Sequence, residues 1–410
     1  MGKVEAVLRN TEEEVAQYIE AHFFDLNGIM YSAVDVETGE PVAAERLTPL
    51  KVPRRADIDP WAYWAYEDSV QNTGNYIDGL VRKYEMTGDR CALERAHFLW
   101  LVLRNIYYES QVHGIGSFLR PYGGYEKMDS FMEPLGTDQA SPMFSGLYLY
   151  MRHCDAATRA EITDVLLNTL RWYARQGFQY FYYKTFIHEW NGVLQHAASY
   201  YVPALAWAAR VTGEPQWRRQ LDEKLALFER PEFTPAKSFC WGSDLPILAE
   251  LLGERFWQVF DLEKMHRELL EKLSAYNEDG CVRRVCPESA ETGFCPSVNP
   301  AFDRGKGMGF AYSATRHGGR ERPRLEVHAL AGLAILGVAG ALDEALTLMG
   351  HRRRVPHDFA HYLYEDLPHL PEPVELYAGS VGAILVEWWR DYWLLRQAES
   401  ANACSSTTAF

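Results

Sequence analysis

Three short turns set the plan of this chain. Met86-Thr87-Gly88-Asp89, Val211-Thr212-Gly213-Glu214 and Leu252-Gly253-Glu254 each end one helical segment with a glycine and open the next with an acid. Glycine accepts the left-handed conformation that closes a helix, and the acid serves the amide groups of the helix that follows. Turns this short fold neighbouring helices into antiparallel hairpins. Recurrence of one such unit marks a repeat architecture even where the side chains differ.

Six inner segments follow, at 60–86, 138–152, 196–211, 244–252, 326–339 and 375–395, with Asp59-Pro60 as a clear helix start. Their partners fall at 89–108, 157–177, 214–228, 254–275 and 341–349, and 11–24 closes the ring against the last inner segment. Several inner segments are rich in small residues, HALAGLAILGVAG most clearly, so backbones can approach from both sides. The terminal helices are no more polar than the internal ones, unlike the caps of a linear solenoid. The expected fold is therefore all-α, an (α/α)6 toroid of six helical hairpins, as one domain over 1–398, with 399–410 a disordered polar tail. GIMYSAVDVETGEPV is expected as a short hairpin or an extended loop. The loops leading into inner helices (109–137, 178–195, 229–243 and 276–325) are long, whereas the turns leaving them are short. That asymmetry places a binding face at one end of the toroid.

Charge narrows the partners. The net charge of −15, with no basic run beyond Arg352-Arg353-Arg354, argues against nucleic acid. No stretch of about 18 apolar residues provides a membrane span, and MGKVEAVLRNTEEE lacks the apolar core of a secretion signal. Seven cysteines without regular pairing fit a reducing compartment, so the protein is expected to be cytoplasmic. Its 24 Tyr and 12 Trp suit a cleft for sugars, although a large core also uses them.

The stretch EPLGTDQASPMFSGLYLYMR, 133–152, holds the leading candidate for chemistry. Asp138 follows a long loop and opens a helix that then becomes wholly apolar; a cap satisfying backbone amides is the plain alternative. Asp68, with Gln71 and Asn72 near it, is a second acid in an aromatic helix, as partner, sugar ligand or buried structural acid. Glu67 beside it is expected to point elsewhere on the helix, and Glu133 is a further loop acid. Candidate substrate contacts are Glu189, Asn191, His196 and Tyr200, the last two four apart on one helical face. Arg120, Lys184, Arg304, Lys306 and Arg316 are basic groups that could bind a uronate carboxylate. Trp64, Trp190 and Trp241 are stacking candidates. HEWNG lacks a His pair four apart, and GKGMG lacks the Ser/Thr of a phosphate loop. Cys281, Cys286 and Cys295 have gaps of four and eight residues, unlike the paired spacing of structural zinc sites.

The hairpin pattern and the helix opening GTDQASPMFSGLYLY resemble the six-hairpin glycosidase superfamily, nearest to the unsaturated uronyl hydrolases and related glucuronidases. The resemblance implies that Asp138 is the general acid/base that protonates the sugar double bond and activates water. Asp68, in YEDSVQNTG, is similar to the family's second acidic position, on the preceding inner helix. The expected activity is a glycoside hydrolase acting on a short, acidic, uronic-acid-containing oligosaccharide, by hydration of an unsaturated uronide or hydrolysis of a glucuronide. No metal or organic cofactor is implied. A polysaccharide or oligosaccharide lyase on the same toroid, and a non-catalytic carbohydrate-binding or scaffold protein, are the alternatives.

Overall fold

The computed structural model describes residues 2–43, 60–128, 134–182, 186–189, 195–226, 245–273, 325–365 and 374–407. Helix α1 spans Lys3–His22, α2 Pro60–Tyr66, α3 Ser69–Thr87, α4 Arg90–Val112, α5 Thr137–Tyr150 and α6 Ala156–Arg175. Then come α7 Gln195–Thr212, α8 Pro215–Leu225, α9 Leu245–Leu252, α10 Glu254–Val259 and α11 Leu262–Leu273. The last three helices are α12 Leu325–Ile335, α13 Ala341–Gly350 and α14 Ala383–Thr407.

The sequence-predicted turns form as glycine closures. Gly88, Gly213 and Gly253 have φ of 72°, 69° and 58°, which only glycine adopts cheaply. In two of them the preceding threonine works on both sides. Thr87 Oγ1 donates to the Lys83 carbonyl at 2.6 Å and accepts from Asp89 N at 3.2 Å. Thr212 repeats this with Ala208 and Glu214, at 2.8 and 3.1 Å. Asp89 then accepts from Cys91 N at 3.0 Å and caps α4, while Pro215 supplies the first turn of α8.

Helices α3, α5, α7, α9, α12 and α14 pack each on the next, and α14 returns to α3, so the six close a ring. Outside lie α4 against α3, α6 and α8 against α7, α10 against α9, α11 and α13 against α12, and α1 against α14. The fold is an (α/α)6 toroid, with α1 and α14 as the sixth hairpin. All six inner helices run the same way: five are left by a turn to an outer partner, and α14 runs parallel to α3, with Gln71, Asn75 and Arg82 bonded in turn to Glu387, Arg390 and Gln397. Their N-termini therefore gather at one end.

Small residues set the closest approach, between α3 and α5. A methyl group on Gly74 would strike the backbone of Pro142 and Met143, and one on Gly146 would strike the Gly74 carbonyl. The interior between α3, α12 and α14 is polar. Asp391 accepts from Arg390 Nε at 2.9 Å and faces His328 Nδ1 at 2.8 Å, and Arg390 also donates to Asn75. Burial disfavours the Asp391 charge, but Arg390 and His328 outweigh it and hold the carboxyl below the usual range.

Three expectations, on the segments 60–86, 254–275 and 375–395, are corrected. The segment 60–86 is two helices, broken at Glu67–Asp68. The segment 254–275 is likewise two, broken at Phe260–Asp261. Residues 375–382 are strand: β5, Val374–Gly382, pairs antiparallel with β1, Ala33–Asp35, and with β4, His361–Glu365. The 28–42 stretch, expected as a short hairpin or an extended loop, turns back with Asp35 N donating to the Glu40 carbonyl at 2.7 Å, and its β1 joins a three-stranded sheet with β5 at the centre. Helix α14 runs to Thr407, and Glu399 accepts from Val4 N at 3.2 Å, tying α14 to the start of α1.

Candidate functional site

The break at Glu67–Asp68 lies at the N-terminal end of the ring, and four side chains bolt it in place. Ser32, just before β1, accepts from Asp68 N at 2.5 Å. Asn72 donates to the carbonyls of Tyr31 and Ser32, so the same segment is held from the first turn of α3. Gln139, on the first turn of α5, donates to the Glu67 carbonyl at 2.6 Å and to Asp68 Oδ1 at 2.9 Å. Arg120 donates to Glu67 Oε1 at 2.9 Å. With the helical path interrupted, the acids sit in the turn and not on opposite sides of a helix.

Asp138 is the second residue of α5, where amide groups and the helix dipole favour negative charge. Its side chain lies outside the described residues. Pro142, four residues on, has no N–H to donate to the Asp138 carbonyl, so the first turn of α5 lacks that internal bond. Because Gln139 bonds Asp68, the starts of α3 and α5 stand side by side.

The other predicted residues separate into groups. Arg120 is 1% exposed and donates to Glu67 at 2.9 Å, so part of its guanidinium is engaged by that acid. Tyr200 is also buried, its ring tilted edge-on to those of Tyr173 and Phe144 at 5.7 and 6.3 Å. Burial drives its hydroxyl well above the ordinary range, and it packs the ring wall where a substrate contact was expected. Trp64 is half-buried in α2, one turn before Asp68. His196 is the second residue of α7, and Glu189 ends β3 (Phe186–Glu189), opposite Gln179 of β2 (Gln179–Tyr182). The side chains of both lie outside the described residues. Lys184, Trp190, Asn191, Trp241, Arg304, Lys306, Arg316, Glu133 and the cysteines 281, 286 and 295 lie outside them entirely.

Gln139 was missed from the sequence, and so was the buried set Asn75, Asp78, Arg82, Arg390 and Asp391. One signal was present: Asn72, Asn75, Asp78 and Arg82 recur at helical spacing along α3 and mark a polar inner face. Among the described residues no His, Cys, Asp and Glu cluster could hold a metal, and no helix is long and apolar enough to cross a membrane. A cavity of about 10 Å³ between α12, α13 and α14, lined by Arg352, Glu387 and Asp391, takes no more than one water-sized molecule. An open groove of about 500 Å³ at Trp257–Glu263 and Leu336–Val338 lies at the far end, where α12 finishes.

No protein-family model matches the chain, and no curated protein does. Solved structures do resemble it. One is the unsaturated glucuronyl hydrolase of Bacillus sp. GL1, described as responsible for degradation of glycosaminoglycan, at 18% identity and TM-score 0.42, over 81% of this chain and 86% of that one. Another is an Asp-to-Asn variant designated UGL with the oligosaccharide dGlcA-Glc-Rha-Glc, at 15% identity and TM-score 0.48, over 96% of both chains.

Proposed function

We propose that the chain is a glycoside hydrolase acting on a short uronic-acid-containing oligosaccharide, by hydration of an unsaturated terminal uronide, in the cytoplasm. The observation that carries this reading is the Gln139–Asp68 bond. It sets two acid-bearing helix starts, Asp68 on α3 and Asp138 on α5, next to each other at the end of the ring where all inner helices begin.

Two neighbouring carboxyl groups in different surroundings divide acid from base work. Asp68 accepts an N–H, which favours its ionised form, and this reading gives the proton-carrying role to Asp138. Asp138 then delivers that proton to C4 of the sugar double bond, and water, deprotonated by the same carboxylate, adds at C5. The resulting hemiketal opens and the aglycone leaves as an alcohol. One proton-transferring carboxyl suffices for this route, whereas direct hydrolysis of a saturated glucuronide needs two.

Loss of absorbance near 235 nm from an unsaturated disaccharide tests the reading. Asp138→Asn is expected to cut kcat by about 10²–10⁴-fold, while Asp68→Asn keeps measurable turnover. Absorbance gained from an intact polyuronide would instead identify elimination, and equal abolition by both variants would identify two-carboxylate hydrolysis.

A further inference from the structure

We infer that Gln139 is the positioning residue that holds Asp68 ionised and aimed, and so decides which acid of the pair carries the proton. The inference rests on reading Asp68 and Asp138 as the working pair. Gln139 is fully buried, and its Nε2 meets two acceptors, the Glu67 carbonyl and Asp68 Oδ1. Only the nitrogen end of the amide fits between two acceptors, so both of its hydrogens are committed there. The other end, Oε1, is buried and accepts no hydrogen bond among the described residues. A buried acceptor left in that state is a standing cost. Packing alone does not explain it, since a methionine of similar size would fill the space without orphaning an oxygen. What the amide provides is a fixed N–H on a carboxylate, delivered from the residue adjoining Asp138.

Among the described residues, three acids and one cation bear on this turn. Glu67 is neutralised by Arg120. Glu387 on α14 accepts from Gln71 at 3.3 Å, and Asp138 stands on α5. The Gln139 amide, at 2.9 Å from Asp68 Oδ1, is a donor that favours the Asp68 charge beside these acids.

The test follows the Asp68 carboxyl by ¹³C-aspartate NMR across pH, with Asp68→Asn identifying its resonance. Gln139→Met is expected to move the Asp68 midpoint upward by about one pH unit. Gln139→Glu keeps the shape but sets a third acid there, and should move it further. Should the methionine variant fail to fold, the glutamate variant decides alone. Midpoints equal to wild type in the folded variants overturn the inference and make Gln139 a packing residue. A wild type that turns over no uronide defeats the proposed function instead, and the Asp68 titration still decides the role of Gln139. In an active enzyme the acidic limb of kcat/KM should shift together with the Asp68 midpoint.

Discussion

Arg120 shows how far a residue's partners can reverse its apparent role. From sequence it is a basic group in a long loop, available for a carboxylate on a sugar. In the fold its guanidinium is buried against Glu67 at 2.9 Å, and Glu67 is itself largely covered. Removing one member of a buried pair strands the other charge, at a cost of about 3 kcal/mol. Arg120→Met should therefore lower the unfolding free energy measured in urea by that amount, and adding Glu67→Gln should recover part of the loss, as a double-mutant cycle measures. A substrate ligand would behave differently, raising KM with stability unchanged. From the sequence, Asp138 stands out because it opens an apolar helix after a long loop, and Asp68 because it interrupts an aromatic one; in the fold they stand at the starts of α5 and α3. The sequence could not locate what holds them. Gln139 and Asp68 are 71 positions apart, and no periodicity links residues that meet only through closure of a ring.

At the scale of the helix, legibility followed punctuation. Where glycine and an acid mark a boundary, as at Gly88, Gly213 and Gly253, the helices end at or within a residue of those marks. Where no such mark stands, the reading ran on. WAYWAYEDSVQ is apolar-periodic throughout, yet bonds from Ser32 and Gln139 break the chain at Glu67–Asp68. In 375–395 the strand β5 passes directly into α14, and strand pairing with β1 and β4 overrode the helical pattern. The small residues expected to let inner helices approach do so most clearly at Gly74 and Gly146, beneath the candidate site. Gly146→Ala would drive a methyl group into the Gly74 carbonyl, forcing α3 and α5 apart. The expected loss is roughly 2 kcal/mol of stability. Because the acids ride on these two helices, kcat should fall by about tenfold or more as well. An alanine variant with normal melting and normal kcat would show that the two helices can separate freely.

The whole molecule depends on joining its two ends. Trp389 of α14 packs beside Tyr76 of α3, ring centroids 4.8 Å apart, and donates through Nε1 to Glu12 of α1 at 2.8 Å. One indole thus touches both helices that flank α14 at the closure. Glu12 is 7% exposed, and burial raises its pKa; the Trp389 hydrogen bond and Lys83 oppose that rise without cancelling it. A carboxyl whose folded pKa lies above its unfolded value favours the fold fully when protonated, below about pH 4. That contribution is lost as pH rises through the folded value. At neutral pH the closure consequently holds a charge it would be more stable without. Glu12→Gln keeps an acceptor for Trp389 and removes the charge. It should melt above wild type at pH 7, with the gap closing as pH falls toward 4. Melting below wild type at pH 7 would mean that the Glu12 charge is wanted, with attraction to Lys83 outweighing burial. Trp389→Phe tests the same joint from the other side: it strands the Glu12 carboxylate and should destabilise the ring at pH 7 more than at pH 4.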